Sequence, residues 1–316
     1  MTWIDAVIIL IIVLYALDGY RRGFIKQTYD LVSLVASFIL ALRFYNDFGL
    51  LLNSWGLGIS FAKPVAFFAL WGFSQVIFYF LSILIFYFLP RNLDFNKVNQ
   101  CAGIIPGLAK GVITISILLV TFIILPFSTT FRDKLMDSSI SSLLIKSTSS
   151  LANQLEKAIG GIDTSLTYLG THPQNTERIQ LNFQTNQFVL DAGSEEAMVE
   201  AVNAERAKAG LKPLKVDDKI RKVARDYSVE MAKNGYFSHE GLSGQSPFDR
   251  LRSGGIIFRA AGENIALAPT YELAQIGLMN SPEHRANILD PNFRYIGIGI
   301  IDIGAYGRMI TQDFTD

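Results

Sequence analysis

An uncharged apolar run at residues 65–90, VAFFALWGFSQVIFYFLSILIFYFLP, constrains this chain more than any other feature. It is longer than the roughly 20 residues that a helix needs to cross the hydrocarbon core of a bilayer. Inside lipid every backbone N–H and C=O must be bonded within the protein, so such a segment has to be helical. The sequence therefore predicts an integral membrane protein.

Three further apolar segments, at residues 3–17, 24–45 and 101–127, are predicted to cross the membrane as well. The first 127 residues contain no Glu, whereas residues 195–316 have the composition of an ordinary soluble domain. We expect an all-α domain of four transmembrane helices at 1–127, a connector at 128–192, and a second domain at 193–316.

The distribution of Lys and Arg predicts the orientation. Arg21, Arg22 and Lys26 lie in the first loop, and Arg91 and Lys97 lie in the third. Both loops should be cytoplasmic, which places the N-terminus and everything after residue 127 outside the cytoplasmic membrane. The lipid bilayer is then the expected surroundings of the apolar part.

With 28 basic and 28 acidic residues, the chain has no net charge that would favour binding to nucleic acid.

Small and acidic residues stand out in the apolar part. Gly103, Gly107 and Gly111 recur every four residues, so they share a helix face that another helix can approach closely, within this chain or from a second copy in a homo-oligomer.

Asp5, Asp18 and Asp30 lie at or near membrane depth. Ionisable groups at this depth make a transport or export role an alternative.

Two stretches carry a family resemblance: WIDAVIILIIVLYALDGYRRGF near the start and NKVNQCAGIIPGLAKGVI at the last span. With them, residues 1–160 resemble the colicin V production (CvpA) family of bacterial membrane proteins. The resemblance implies a link to toxin production or export.

The connector contains one helical pattern. Ile140, Leu144, Leu151, Leu155 and Ile159 recur at spacings of four and seven. This predicts an amphipathic helix over residues 138–159, followed by a turn-rich linker.

Capping residues define the helices of the C-terminal part. Ser194 should begin a helix that ends near Gly210, and Asp217 should begin a second that Gly235 closes. Ser246 and Ser281, each followed by Pro, should cap two short helices. The segments IALA, YIGIGIID and RMITQDF are predicted strands. Together these elements indicate an α+β domain.

The motifs VNAERAKAGLKPL, YFSHEG, SPFDRL, GENIA, SPEHRANIL, YIGIGI and TQDF follow one another in this part. Their order and spacing resemble the CAP (SCP-like) domain of cysteine-rich secretory, antigen 5 and pathogenesis-related proteins. The resemblance implies an α-β-α sandwich with a central antiparallel sheet. It also implies a ligand-binding cleft with two histidines and two acids, of which His239, Glu263 and His284 can be assigned.

The fourth member of the cleft is an acid that this sequence does not identify, and Glu272 and Glu283 are the substitutes that can be named. Two imidazoles and one carboxylate suit a divalent metal ion such as Zn, held by His239, Glu263 and His284. The alternative is a polar network that ties loops together without a metal.

Catalysis would use the same three residues. Ser243, Ser246 and Ser281 lie near the two histidines in sequence, so a Ser-His or metal-water hydrolase is conceivable. Helix capping already explains Ser246 and Ser281, however, and no nucleophile elbow is visible. A binding role is therefore favoured over an enzyme.

These features predict a bacterial membrane protein that presents a CAP domain at the outer face of the cytoplasmic membrane. Its role would be binding or scaffolding in the cell envelope. The cleft would take a divalent metal, a lipid or a wall fragment, and envelope proteins are further partners. The alternatives are a membrane-tethered envelope hydrolase and an export factor.

Overall fold

The computed structural model describes residues 1–57, 59–88, 97–124, 128–148, 178–181 and 183–316. The chain divides into two compact units. The first comprises residues 1–125 and 133–162, and the second comprises residues 126–132 and 163–316. Much of the predicted linker lies outside the described residues.

The first unit is helical. The described helices up to residue 148 are α1 (Trp3–Ser54), α2 (Ile59–Tyr87), α3 (Lys97–Ile124), α4 (Thr129–Asp137) and α5 (Ser139–Ser147). Residues 129–132 of α4 are counted with the second unit and the rest of α4 with the first. Among the described residues, three helices are long and apolar enough to cross a membrane: α1, α2 from Ala62 onward, and α3 to Ile123. The prediction of four separate spans is not confirmed, because residues 3–17 and 24–45 both fall within α1.

Helix α1 is interrupted at Gly23, which has φ 79° and ψ 165°. The Nζ atom of Lys110 on α3 lies 3.3 Å from Oδ2 of Asp30 and 5.9 Å from the ring centroid of Tyr15. In a straight helix, residues 15 positions apart would be separated by about 22 Å. Helix α1 is therefore sharply bent at Gly23, where only glycine adopts the positive φ without strain.

The glycine row of α3 packs against the first part of α1. A Cβ atom on Gly103 would collide with the carbonyl oxygen of Gly19, and one on Gly107 would lie 2.6 Å from the carbonyl oxygen of Tyr15. At Gly111 the corresponding distance to Cβ of Tyr15 is 3.0 Å. The row thus permits close approach of two helices within the chain. A homo-oligomer through this face stays a prediction.

Three acidic residues of α1, namely Asp5, Asp18 and Asp30, have partners within this unit. The carboxylate of Asp5 accepts hydrogen bonds from Thr2 N, at 2.7 Å, and from the hydroxyl of Ser138, at 2.6 Å. It therefore ties the start of α1 to the start of α5. Asp18 and Asp30 both bind Arg22, at 3.1 and 2.9 Å.

The connector differs in part from its prediction. Helix α5 starts where the amphipathic helix was expected, with the Ser138 hydroxyl accepting from Ser141 N at 3.2 Å. The rest of that predicted helix, from residue 149 to 159, lies outside the described residues. Helix α4 was not predicted, because its nine residues are too few to show a clear periodicity.

The second unit alternates helices and strands. Its helices are α6 (Ala192–Lys208), α7 (Asp218–Asn234), α8 (Pro247–Ser253), α9 (Tyr271–Asn280) and α10 (Pro282–Ile288). Its strands are β1 (Ile179–Gln180), β2 (Val189–Leu190), β3 (Lys215–Val216), β4 (Tyr236–Phe237), β5 (Ala261–Ala268), β6 (Tyr295–Asp302) and β7 (Arg308–Thr315). The predicted strands are confirmed as β5, β6 and β7, and IALA proved to be the end of a longer strand.

The main sheet has the order β2-β6-β7-β5 with antiparallel neighbours, and β3 adds to β6 in parallel. Successive side chains point to opposite faces of a strand. On one face, Ile298 and Ile300 share a core with Val202 of α6 and Leu278 of α9. On the other face, Ile301 of β6 packs in a second core with residues of α7. Helices thus cover both sides of a central antiparallel sheet, as expected.

Local capping signals located most helix ends correctly. Asp217 caps α7, Gly235 ends it with φ 66°, and Ser246 and Ser281 cap α8 and α10. Helix α6 differs, because it starts at Ala192 and its cap is Asp191, whose carboxylate accepts from the backbone N–H of residue 194 at 3.0 Å.

Candidate functional site

His239 lies in the loop that follows α7 and β4. Gly235 turns the chain out of α7 in the left-handed conformation, and a Cβ atom there would lie 2.6 Å from the carbonyl oxygen of Phe183. The chain then forms the short strand β4 and reaches His239, whose side chain is 16% exposed. A glycine is therefore required at this turn, and the turn delivers the histidine to the edge of the core.

Glu263 is the buried acid of the site. It sits on β5, and its side chain is only 2% exposed. Oε1 lies 2.7 Å from Nδ1 of His239, and Oε2 accepts from Nη2 of Arg250 at 2.5 Å. Both oxygens of this carboxylate are thus engaged, as a buried charge requires.

Arg250, the fifth residue of the SPFDRL motif, has several partners. Its Nη1 donates to the carbonyl oxygens of His239 and Gln245, each at 3.0 Å. Its guanidinium carbon lies 3.3 Å from the ring centroid of Tyr227 on α7. Burial is the largest influence and would lower the pKa of Arg250, but Glu263 and the other neighbouring groups together raise that pKa above its ordinary value.

Asp313 is a second acid at the same place. It is 1% exposed and pairs directly with Glu263 across β5 and β7. Burial, and then the negative charge of Glu263, raise the pKa of Asp313 well above its ordinary value. Asp313 therefore keeps its proton to a higher pH than an exposed aspartate does.

The raised pKa of Asp313 predicts that the stability of the fold depends on pH. Because the pKa of Asp313 is raised in the folded state, the folded chain binds more protons than the unfolded chain above pH 3.8. The unfolding free energy should therefore fall as the pH rises from about 4 toward neutral, and Asp313→Asn should remove this contribution.

The stability of the Asp313→Asn variant relative to wild type should rise between these pH values. Urea unfolding at a series of pH values measures it, with Asp226→Asn, 66% exposed, as control. Parallel curves for the two variants would contradict the assignment.

His284 occupies a different setting. Its backbone N–H donates to the Ser281 hydroxyl at 3.4 Å, and its carbonyl oxygen accepts from Nδ2 of Asn264 at 3.2 Å. Asn264 follows Glu263 on β5, so the two side chains point to opposite faces of the sheet. The structure thus brings His239 and Glu263 together and ties the backbone of His284 to the opposite face. The three-residue cleft stays a prediction.

The residues present do not fit the expected zinc ion. Among the residues that the structure describes, no group of three or more His, Cys, Asp or Glu side chains is arranged to hold a metal. Both oxygens of Glu263 are bound by His239 and Arg250. Of the named substitutes for the fourth acid, Glu272 is half-buried and Glu283 is exposed. The acid that lies opposite Glu263 is Asp313.

Sequence reasoning therefore missed three members of the site: Arg250, Tyr227 and Asp313. A signal was available for one of them. Asp313 is the only acid in RMITQDF, and alternation along a strand places every second residue on one face. An acid within such a strand indicates a buried polar site. Arg250 was visible only as part of SPFDRL, and no local pattern indicated that it stacks on Tyr227 of another helix.

Two of the three serine hydroxyls named for hydrolysis, those of Ser246 and Ser281, have other roles. Ser246 Oγ accepts from Asp249 N at 3.2 Å and donates to its carboxylate at 2.6 Å. Ser281 Oγ accepts from the N–H of His284. Both hydroxyls act as helix caps, as the sequence indicated.

A surface groove of about 450 Å³ adjoins this site between α7 and α8. Tyr227 and Arg250 form the part of its lining that belongs to the buried network. Lys222, Glu230 and Gln245 also line it, so it presents charges of both signs and an amide. The groove therefore gives a polar ligand access to the edge of the network.

The fold and site define a protein that joins a helical membrane domain to an α-β-α domain with a buried His-Glu-Arg network. Residues 4–150 match the family model described as Colicin V production protein. Residues 199–314 match the model described as Cysteine-rich secretory protein family. The chain is thus a membrane protein with a CvpA region followed by a CAP region, as the motifs indicated.

Individual relatives match part of the chain. The uncharacterized protein YkwD of Bacillus subtilis (strain 168) is 46% identical over 121 residues, 38% of this chain and 46% of that protein. The uncharacterized membrane protein YlbC of the same strain is 36% identical over 112 residues, 35% of this chain and 32% of that protein. The chain therefore spans less than half the length of these relatives.

Two solved structures are also similar. One is an extracellular protein containing a SCP domain from Bacillus anthracis str. Ames, with 33% identity, a TM-score of 0.36, and coverage of 39% of this chain and 40% of that chain. The other is an outer surface protein from Borrelia burgdorferi, with 20% identity and a TM-score of 0.40. The match covers 42% of this chain and 98% of that chain.

Proposed function

We propose that this protein displays its CAP domain at the outer face of the bacterial cytoplasmic membrane and binds envelope material there. The basic residues within 21–26 and 91–97 support this orientation. The bend at Gly23 supports two crossings by α1, and hence four in total with the N-terminus and the CAP domain on the same side.

One observation carries the binding role: the groove between α7 and α8 adjoins a buried network whose charges are already paired. Glu263 is bound by His239 and Arg250, and the hydroxyls of Ser246 and Ser281 cap helices. Such a site offers hydrogen bonds and a charged rim to a ligand. The polar, amide-bearing peptides of the cell wall suit this lining, so we propose wall fragments as the ligand class.

Filling the groove tests this proposal. Ser253 lines the groove and is exposed, so Ser253→Trp should block it without disturbing the core. We expect the purified full chain to co-sediment with isolated cell walls, and Ser253→Trp to reduce this binding at least tenfold. The control is Lys208→Trp on α6, where the side chain is 72% exposed and does not line the groove.

Equal binding by the two tryptophan variants would count against the groove as the ligand site. A reporter fused after Asp316 gives the orientation, and activity of that reporter only in the cytoplasm would contradict the outside placement. Release of soluble wall products by wild type would instead favour the hydrolase alternative.

An export role through the membrane helices has less support. Asp5, Asp18 and Asp30 are each bound within the first unit, by helix-capping groups or by Arg22. These contacts are sufficient to explain acidic residues at membrane depth. The link to toxin production rests on the CvpA resemblance.

A further inference from the structure

We infer that Arg250 is the resident cation of the His239-Glu263 site and occupies the place that a divalent metal would need. The inference concerns the site of the proposed function, but it requires no envelope ligand. It predicts a CAP domain that works without a metal because its own guanidinium neutralises the buried carboxylate.

The first step is the occupancy of Glu263. A carboxylate ligates a metal through lone pairs on its oxygens. Oε1 of Glu263 lies 2.7 Å from the His239 ring, and Oε2 accepts from Arg250 at 2.5 Å. The same contact engages Nδ1 of His239. A metal at Oε2 would therefore have to displace Arg250, and a metal at Nδ1 would have to break the contact between His239 and Glu263.

The second step is that Arg250 is fixed in place. Its side chain is 7% exposed, and it donates to the carbonyl oxygens of His239 and Gln245. It also stacks on Tyr227, whose own hydroxyl donates to the carbonyl oxygen of Ser238. If the guanidinium swung out to admit a metal, it would lose all of these contacts, including its hydrogen bonds to two carbonyl oxygens.

The third step is the charge balance. The charges of Arg250 and Glu263 cancel each other, and burial and then the charge of Glu263 raise the pKa of Asp313 above its ordinary value. A divalent ion would add two positive charges beside a guanidinium in a buried site, where repulsion is weakly screened. Removal of the Arg250 charge reverses this balance, because the site then has an uncompensated carboxylate next to His239.

Zinc titration of the full chain tests the inference. The protein is purified in detergent, stripped of metal with a chelator, and titrated by calorimetry. We expect wild type and His239→Ala to give the same zinc isotherm. Arg250→Gln, which removes the charge and keeps hydrogen-bond donors, should bind zinc at least tenfold more tightly than wild type. The double variant Arg250→Gln/His239→Ala should lose this gain.

Two results would overturn the inference. One is saturable zinc binding by wild type that is lost in His239→Ala, which would show a metal site in the presence of Arg250. The other is a folded Arg250→Gln without any gain. If Arg250→Gln fails to fold, Arg250→Met provides the uncharged variant, and the comparison of wild type with His239→Ala needs neither. Because no wall ligand is used, failure of the envelope role leaves these outcomes unchanged.

Discussion

Arg250→Ala is expected to destabilise the C-terminal unit by about 3–5 kcal/mol, the usual effect of removing one partner of a buried ion pair. The loss is large because Glu263, 2% exposed, would be left charged beside Asp313. The carbonyl oxygens of His239 and Gln245 would lose a donor as well. Packing over the ring of Tyr227 would also be lost.

All three tryptophans lie in the N-terminal unit, so tryptophan fluorescence does not report on the C-terminal one. Protease digestion of the full chain at increasing urea, with detection of the C-terminal fragment, measures its unfolding. The matched control is Arg252→Ala on the same helix. Arg252 is 66% exposed and lies 3.5 Å from Asp249, so its removal should have a much smaller effect. Equal midpoints for the two variants would mean that the buried pair contributes no more than a surface pair.

Gly299→Ala is the second change with a large expected effect. Gly299 lies on β6 beneath α7, and a Cβ atom there would collide with the backbone of Ala224 and Arg225. Backbone cannot move aside as a flexible side chain can, so we expect destabilisation at or above the upper end of the roughly 1–3 kcal/mol typical of overpacking. Because α7 also carries Tyr227, its displacement should weaken the support of Arg250.

The control for this substitution is Gly277→Ala on α9, where nothing lies within 4 Å of the added Cβ atom. Alanine is favoured over glycine inside a helix by about 0.5–1 kcal/mol, so this variant should be neutral or slightly more stable. The same urea and protease experiment measures both. Similar midpoints for Gly299→Ala and wild type would mean that α7 does not need the close approach.

Features that depend on neighbouring residues were predictable from the sequence. The caps Asp217, Ser246 and Ser281 and the αL residue Gly235 act within one turn of helix, and the structure confirms each. The strands of the main sheet were visible for the same reason, because alternation is a local property. Asp191 was missed as the cap of α6, since two small residues separate it from the Ser194 that was chosen.

Features that depend on distant segments were not predictable. The single element α1 with its bend at Gly23 depends on contacts with α3, 80 residues farther along the chain at Asp30 and Lys110. Arg250 was visible only as part of a motif, because its partners His239, Glu263 and Tyr227 come from three other elements.

The sequence by itself determined that this protein has a helical membrane part and an α+β CAP part. The length of an apolar segment, the spacing of its apolar residues and the helix caps all depend on residues that are close together in sequence. Its motifs also singled out His239 and Glu263. Only the tertiary structure decided what surrounds that pair. The register of β5 against β7 places Asp313 opposite Glu263, and the packing of α7 and α8 places Arg250 on Tyr227. Burial and neighbouring charges determine how an ionisable side chain such as Glu263 behaves, and both are determined by the tertiary fold.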